Sequence, residues 1–375
     1  MKALLFFPLG LWAASAALAQ NTTPGTVDST AAATSAAAPA ATALTVYGFA
    51  DGYYGYDLTG QSPQRPGFLY SHHRANEFAL NNAVVGLRYQ DETVRGALGL
   101  HTGTYVEANY ANEPQVLRHV YEAYAGFRPF AKTWLDLGVF GSHIGFESAI
   151  SKDNWTLTRS IMAENSPYYE AGARLTYEAA PALTLTALAL NGWQNLRDNN
   201  RAKALGWQIQ WKPTAKLLVN SSAFYGNEQP QDSARRRRYF HDFYLTYTAT
   251  DRLSLAGVFD VGKQENERRN GKADTWHTAA AFVRYKFTDR WAAAARYEYY
   301  YADRGVVIRS SMPVAADANF RVAGGSANLD YAPAANLLFR VEGRLLRSRD
   351  RPFVNDAGQP VSRYGNLTSS IALSF

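Results

Sequence analysis

An alternating stretch that ends in an aromatic residue occurs seven times along this chain, each time followed by a short polar or Pro/Ala turn. Side chains on a strand alternate between two faces, so the final aromatic shares a face with the apolar residues before it. A sheet whose rim lies at a membrane interface needs aromatic side chains at that level, whereas a soluble sheet has no reason to repeat them. We expect an interface girdle of Tyr89, Phe127, Tyr177, Trp211, Tyr247, Phe287 and Tyr331, with the terminal Phe375.

The N-terminal 43 residues are predicted to lie outside the folded domain. Residues 1–19 are typical of a secretory signal peptide, with Lys2 as a positive start, an apolar segment and a small-residue cleavage site. Residues 20–43 are mostly Ala, Thr, Ser and Pro and cannot bury a core, so we predict a disordered periplasmic lead-in. No later run of about 20 apolar residues occurs, so the exported domain, residues 44–375, either stays soluble or enters a membrane as a closed sheet.

Alternation of apolar and polar residues predicts an all-β domain of about 16 strands, each long enough to cross a bilayer obliquely. The strands are predicted to begin near Leu44, Glu77, Thr93, Val116, Thr133, Pro167, Leu183, Ala202, Lys216, Arg238, Leu253, Asp274, Trp291, Phe320, Asn336 and Tyr364.

Short turns alternate strictly with long loops between these strands. This segregation is typical of a transmembrane antiparallel up-and-down β-barrel with short periplasmic turns, long extracellular loops and both termini on the side of the turns. A Greek-key sandwich does not separate loop lengths in this way. The long loops are 57–76, 103–115, 146–165, 194–201, 227–237, 265–273, 304–319 and 348–363.

The two faces of each strand differ in polarity. In the strand that begins near Pro167, Ala173 and Leu175 point one way, whereas Glu170 and Arg174 point the other way. A soluble barrel has an apolar interior, so a charged row indicates a wet lumen. For one strand alone, a water-exposed sheet remains the alternative. A barrel of 16 to 18 strands leaves an aqueous channel.

Charged residues on the polar register are candidates for the lining and selectivity of this channel. Their arginine excess favours anions or polar solutes. The alternative is a set of neutralising ion pairs that only keep the wall wet and rigid. The candidates are Arg118, Glu122, Glu170, Arg174, Arg284, Arg296, Glu298, Arg340, Glu342 and Arg344.

The long loop 146–165, the third of the eight, is the candidate constriction. Asp153 or Asn154 is expected to cap a short helix that runs to Ile161 or Met162. Trp155, Arg159 and Glu164 are the side chains expected to project into the pore. The alternative is that the loop packs on the barrel wall and contacts nothing that passes.

Other chemistry finds little support in the sequence. The chain has no cysteine and only 7 scattered His, so we predict no disulfide, metal site or cofactor. The formal charge of +6 is modest, with both signs interleaved, and does not indicate a nucleic-acid partner. Ser142 and His143 suggest a hydrolase, but adjacent residues of a strand face opposite sides and no Gly-x-Ser-x-Gly elbow is present, so we predict no enzyme.

Residues 141–170, together with the segment Leu190-Asn191-Gly192-Trp193-Gln194, resemble the OmpL-like β-barrel porins (porin-2 family) of Bacteroidota and related bacteria. The similarity covers most of 45–375. It implies a channel in the Gram-negative outer membrane and offers no catalytic residues. In general porins the third loop folds into the lumen and narrows it, so the same position here implies the same role.

The resulting expectation is a passive diffusion channel for small hydrophilic solutes, with a mild anion preference. A surface-loop adhesin or interaction barrel is the alternative, for which the long loops are the only argument. Expected partners are outer-membrane lipid and lipopolysaccharide, and the barrel-assembly machinery, since the last strand ends in an aromatic residue. The basic run 235–238 is a candidate for binding lipopolysaccharide phosphates or for steering anions, and the favoured alternative is a solvated charge run. By analogy with 16-stranded porins, a homotrimer is also expected.

Overall fold

The computed structural model describes residues 43–60, 63–266, 272–308 and 319–375. In these ranges sixteen strands form one closed antiparallel barrel in which sequence neighbours pair with each other. The predicted fold is therefore confirmed. The predicted signal peptide and, apart from Ala43, the predicted lead-in lie outside the described residues. The barrel strands are β1 (Ala43–Asp57), β2 (Phe78–Gln90), β3 (Val94–Thr102), β4 (Val120–Phe127), β5 (Thr133–Gly141), β6 (Tyr169–Ala180), β7 (Leu183–Leu190), β8 (Ala204–Thr214), β9 (Leu217–Asn227), β10 (Arg237–Thr248), β11 (Leu253–Glu265), β12 (Ala273–Lys286), β13 (Trp291–Ala302), β14 (Phe320–Ala334), β15 (Leu337–Arg347) and β18 (Arg363–Ser374).

Short elements occur in the long loops. The helices are α1 (Thr104–Asn109) and α2 (Ile161–Glu164), and β16 (Phe353–Val354) pairs with β17 (Pro360–Val361) in a small hairpin. Single 3-10 turns span Gln115–Leu117, Ser151–Asp153 and Asp303–Gly305. None of the helices that the structure describes is long and apolar enough to span a membrane.

The barrel closes between its first and last strands. β1 pairs with β2 on one side and with β18 on the other. The amide of Gly48 donates to the carbonyl of Phe375 at 2.9 Å, and the amide of Phe375 donates back at 3.0 Å. Closure leaves none of the described barrel strands with an unpaired edge, which is the condition for a sheet in a bilayer.

The fourth strand begins later than the sequence predicts, at Val120 instead of near Val116. Gln115–Leu117 forms a 3-10 turn after Pro114, and Arg118 follows it. The Arg118 guanidinium donates to the carbonyls of Ala111 at 2.8 Å and Glu113 at 2.9 Å. The prediction that Arg118 lies on the polar register of a strand is therefore wrong, because its side chain caps the second long loop.

The inward face changes character along its length. Near the turns and in the middle it is polar, as predicted. Near the long loops it is apolar and aromatic, and these side chains are almost fully buried. Charged residues are fewer there but still occur, among them the buried Asp57, Glu170 and Asp274. The apolar inward residues include Phe224, Phe240, Trp276, Tyr300, Phe320 and Leu346.

Candidate channel interior

The third long loop runs from residue 142 to residue 168 and differs from its predicted local structure. Helix α2 begins after Ser160, whose hydroxyl accepts the amide of Ala163 at 3.3 Å. The predicted helix start at Asp153 or Asn154 is wrong. The Asn154 side chain instead accepts the amide of Ser148 at 2.6 Å and donates to its carbonyl at 2.9 Å, which bends the chain there.

The middle of this loop contacts the far side of the barrel. It leaves the end of β5, and its partners lie on β13 and β15, about half a circumference away in the strand order. Arg340 on β15 donates to the carbonyls of Ser151 at 2.7 Å, Asn154 at 3.0 Å and Trp155 at 2.9 Å. Since Arg340 is on the inward face and 1% exposed, these contacts are made inside the barrel.

Neighbouring inward side chains add to this attachment. Arg296 donates to the Thr156 hydroxyl at 2.9 Å and to the Thr158 carbonyl at 2.5 Å. Glu342 accepts the Thr158 amide at 2.9 Å and also the Thr158 hydroxyl. Glu298 accepts the Ile161 amide at 2.7 Å. We call Arg296, Glu298, Arg340, Glu342 and Arg344 the loop-holding wall; Arg344 reaches Glu298 at 2.7 Å.

The first long loop lies against the third. Arg159 Nη2 is 2.9 Å from Glu164 Oε2, and Glu164 also accepts the amide of Ser71 at 3.1 Å and its hydroxyl. The Arg159 guanidinium lies 3.9 Å from the Tyr168 ring centroid and 4.5 Å from that of Tyr105. Burial alone would raise the pKa of Glu164, but Arg159 and Ser71 hold that pKa below its usual value.

Apolar side chains complete the packing of the two loops. Phe68 of the first loop contacts Phe320 on β14, with ring centroids 5.0 Å apart, and Phe353 of the small hairpin at 6.2 Å. Ile161 and Met162 of α2 belong to the same buried cluster. No sequence pattern singled out Phe68, because its partners come from three separate parts of the chain.

Ser142 and His143 lie just beyond β5, not within a strand, so the parity argument does not apply to them. Both reach Glu170, with Ser142 Oγ at 3.0 Å and His143 Nδ1 at 2.8 Å from its Oε1. His143 Nε2 lies 2.9 Å from the carbonyl of Ala223. Burial lowers the pKa of His143, but Glu170, the Ala223 carbonyl and Asp242 together raise it more, so the pKa lies above its usual value. The three side chains fix the stem of the third loop.

The remaining predicted lining residues pair with wall residues that the sequence analysis did not name. Arg174 donates to Asp136 at 2.9 Å, and Arg284 lies 3.9 Å from Asp330. Glu122 accepts the Tyr47 hydroxyl at 2.5 Å and Arg88 Nε at 2.9 Å. Alternation alone places Asp136, Asp330 and Arg88 on the inward row.

The aromatic residues before the turns lie on the outward face, as their register predicts. All are exposed except Tyr331, which is partly buried because it stacks on Trp291 at 4.6 Å. Phe375 is exposed as well. In the basic run, Arg235 is exposed, Arg237 lies 3.8 Å from Glu265, and Arg238 donates to Gln264 at 2.9 Å.

Solved structures of bacterial outer-membrane channels share this fold. The channel DcaP of Acinetobacter baumannii matches with a TM-score of 0.61 and 11% identity, over 89% of this chain and 97% of that one. The anion-selective porin of Comamonas acidovorans matches at 0.60 and 8%, over 89% and 100%. Salmonella typhi OmpF, in complex with daunomycin, matches at 0.58 and 15%, over 88% and 97%.

Sequence comparison gives a more specific result. No curated protein sequence matches the chain. A family model described as "Putative beta-barrel porin-2, OmpL-like" matches residues 43–375, which include every barrel strand. Since that match spans the whole barrel, the chain belongs to the OmpL-like β-barrel porin-2 family.

Proposed function

We propose that this outer-membrane porin is a passive diffusion channel for small hydrophilic solutes, and that its third long loop narrows the lumen. The observation that carries the proposal is the set of hydrogen bonds from inward-facing Arg296 and Arg340 to backbone carbonyls of that loop. A loop held on the opposite wall crosses the cross-section through which any solute has to pass.

The buried charges support this assignment. A buried guanidinium is costly unless charge and hydrogen bonds compensate it. Here the third loop supplies acceptors to Arg340, and Asp330 supplies a carboxylate at 2.9 Å. The polar inner row is therefore built to hold the loop, which favours a fixed constriction over a freely moving one. Trp155, Arg159 and Glu164 are all nearly buried, so they act in the packing of the loop more than as side chains that touch a solute.

Deletion of residues 152–163 tests the proposal. The deletion removes the segment held by Arg296 and Arg340, so single-channel conductance in planar bilayers is expected to rise above that of the wild type. A matched control is deletion of 230–234 in the exposed fifth long loop, which is expected to leave conductance unchanged. An unchanged conductance in a 152–163 deletion that still folds, judged by heat-modifiable migration in SDS gels, would count against the proposal.

The remaining expectations belong to the same proposal. Residues 1–19 direct export, the exposed aromatic row lies at one membrane interface, and the final strand is recognised by the assembly machinery. A trimer form has been solved for Vibrio cholerae OmpT, a structural neighbour with a TM-score of 0.58, which supports a homotrimer here. Cross-linking in native membranes distinguishes a trimer from a monomer.

A further inference from the structure

We propose that the periplasmic mouth carries an anion-binding wall in which Arg88 and Arg128 bind small organic or inorganic anions with a carboxylate or phosphate group. Arg95 lies between them, and Trp134 stacks on Arg95 and Arg128. We call these four residues the turn-side wall. The proposal rests on the proposed channel function and specifies its selectivity. It also moves the anion preference away from the arginines on which the sequence analysis placed it.

The three arginines come together through strand register. Arg88 on β2 and Arg95 on β3 face inward next to the same turn, since Arg95 pairs with Gln90. Arg128 follows β4 and its amide donates to the carbonyl of Thr93 at 2.8 Å. Inward positions that are diagonal neighbours on adjacent strands lie about 7–8 Å apart, within reach of long side chains.

Trp134 fixes two of these guanidinium groups. The Arg95 and Arg128 guanidinium carbons each lie 4.6 Å from the centroid of its ring. Trp134 is almost fully buried on the inward face of β5, so it is a rigid platform. A guanidinium on an aromatic face is attracted by the ring quadrupole, and this contact does not use its in-plane N–H donors. In Arg95, Nε and Nη2 donate to Asp136 at 2.7 and 2.6 Å, so the exposed Arg128 is the member of this pair that can present donors to an anion.

The arginines at this end of the barrel outnumber the carboxylates that contact them. Asp136 is shared by Arg95, at 2.6 Å, and Arg174, at 2.9 Å. Glu122 accepts Arg88 Nε at 2.9 Å, while the Arg88 side chain is 48% exposed and lies 4.5 Å from the Tyr47 ring centroid. Three arginines thus share two carboxylates, and Arg128 contributes a fourth, exposed positive charge.

The loop-holding wall shows the opposite balance. Arg296 lies within 4 Å of Glu147, Glu298 and Glu342, and Arg344 also reaches Glu298. These arginines are buried and bound to protein groups, so a passing anion cannot reach them. Arg88, with a 48% exposed side chain, and the exposed Arg128 are therefore better placed to meet a solute than the arginines of the loop-holding wall.

The ligand class follows from the donors. An arginine presents parallel N–H groups that match two oxygens of a carboxylate or phosphate. Conduction requires that each contact be weak enough to release the ion, which partly exposed arginines at a mouth satisfy better than buried ones. A short series of such sites at one end of the pore raises the local anion concentration without trapping the solute.

The experiment is the reversal potential of the full-length porin in planar bilayers under a potassium chloride gradient and under a potassium phosphate gradient. Arg88→Gln and Arg128→Gln are each expected to lower the anion-to-cation permeability ratio on the order of twofold, and the double variant lowers it further. Arg290→Gln is the matched control, because Arg290 is an exposed arginine of the turn between β12 and β13 and lies outside the wall.

Three results separate this inference from the proposed function. A lower ratio in the wall variants, with the control unchanged, supports the anion-binding wall. A wild-type channel that conducts without anion preference, or equal effects of Arg128→Gln and Arg290→Gln, overturns the wall and leaves the diffusion channel standing. A correctly folded barrel that shows no conductance overturns both.

Discussion

The loop-holding wall and the turn-side wall use the same residue types for different purposes. On β13 and β15, arginine and glutamate are buried and bind the backbone of the third loop. At the turn ends of β2 to β5, Arg88 and Arg128 rest on aromatic rings and keep part of their surface in water. The loop-holding wall therefore positions the third long loop, whereas the turn-side wall is placed to meet solutes.

This difference shows that a polar inward row does not by itself define a selectivity filter. Charge affects a permeating ion only where the ion can approach it. Arg340 satisfies three carbonyls and one carboxylate, so its charge is already compensated. Arg128 contacts an indole ring and adds an exposed positive charge. Mutations in the two walls should accordingly change different properties.

The largest effect is expected from Arg340→Met. The substitution leaves Asp330 without its nearest cation and leaves carbonyls of the third loop without their donor. Removal of one partner of a buried ion pair costs about 3–5 kcal/mol. We expect a clearly lower temperature of heat-modified migration in SDS gels and protease cleavage within 142–168.

Arg284→Met is the matched control for that variant. Arg284 belongs to the same side of the barrel and lies 3.9 Å from Asp330, but its side chain is partly exposed. This contact has no hydrogen bond, and Arg340 still pairs with Asp330 in the variant, so the loss of stability should be smaller than in Arg340→Met. Equal losses in the two variants would contradict the claim that Arg340 acts by holding the loop.

An intermediate effect is expected from Gly48→Ala at the closure of the barrel, on the side of the turns. A Cβ on Gly48 would lie 2.1 Å from the ring of Phe375, so the terminal aromatic has to move. Such overpacking costs typically about 1–3 kcal/mol. The measurement is urea-dependent unfolding of the detergent-refolded barrel. Gly257→Ala, whose added Cβ meets nothing within 4 Å, should be close to neutral or slightly stabilising.

Gly48→Ala also sharpens the contrast between the two regions of the interior. It should lower the stability of the barrel while conductance stays near the wild-type value, since Gly48 contacts neither wall. Conversely, Arg340→Met should alter both. A conductance change in Gly48→Ala as large as that in Arg340→Met would mean that barrel closure, and not loop attachment, sets the size of the pore.

The sequence predicted the strands well because their signals are local. Alternation, turn residues and the aromatic before each turn all lie within a few residues of the feature that they define, and the predicted strand starts agree with the observed ones to within a few residues. The error at Arg118 arose where alternation continues through a 3-10 turn. Local pattern cannot tell a loop residue from a strand residue when both fit the period.

Contacts between loops and the far wall could not be predicted in this way. Thr158 and Glu342 are separated by 184 positions, and neither lies in a sequence motif that predicts their contact. Parity identifies Glu342 as inward, but it does not say whether water or a loop faces it. The same limit explains Trp155 and Arg159, which were expected in the open pore and instead are buried in the packing of the third loop.

The smallest effect on stability is expected from lowering the pH, which acts on the contact between the first and third long loops. Because Arg159 and Ser71 depress the pKa of Glu164, the folded value lies below the usual value near 4.5. A depressed carboxyl contributes stability that is fully present above the unfolded pKa and is lost as the pH falls through the folded pKa. Lowering the pH from 7 to 5 should therefore leave this contact intact, and further acidification should weaken it.

The variant Glu164→Gln distinguishes the protonation of Glu164 from the protonation of other buried carboxyl groups. Burial raises the pKa of Glu147, so protonation of Glu147 stabilises the folded protein as the pH falls. This effect opposes that of Glu164 and partly masks the acid response of the wild type. The Gln variant lacks the charge at residue 164 and keeps Glu147, so its loops should be more protease-sensitive at neutral pH and should show no further step below about pH 4.5. The difference between the two proteins then reports the Arg159–Glu164 pair alone. A parallel acid response in both would show that the pair does not hold the loops together.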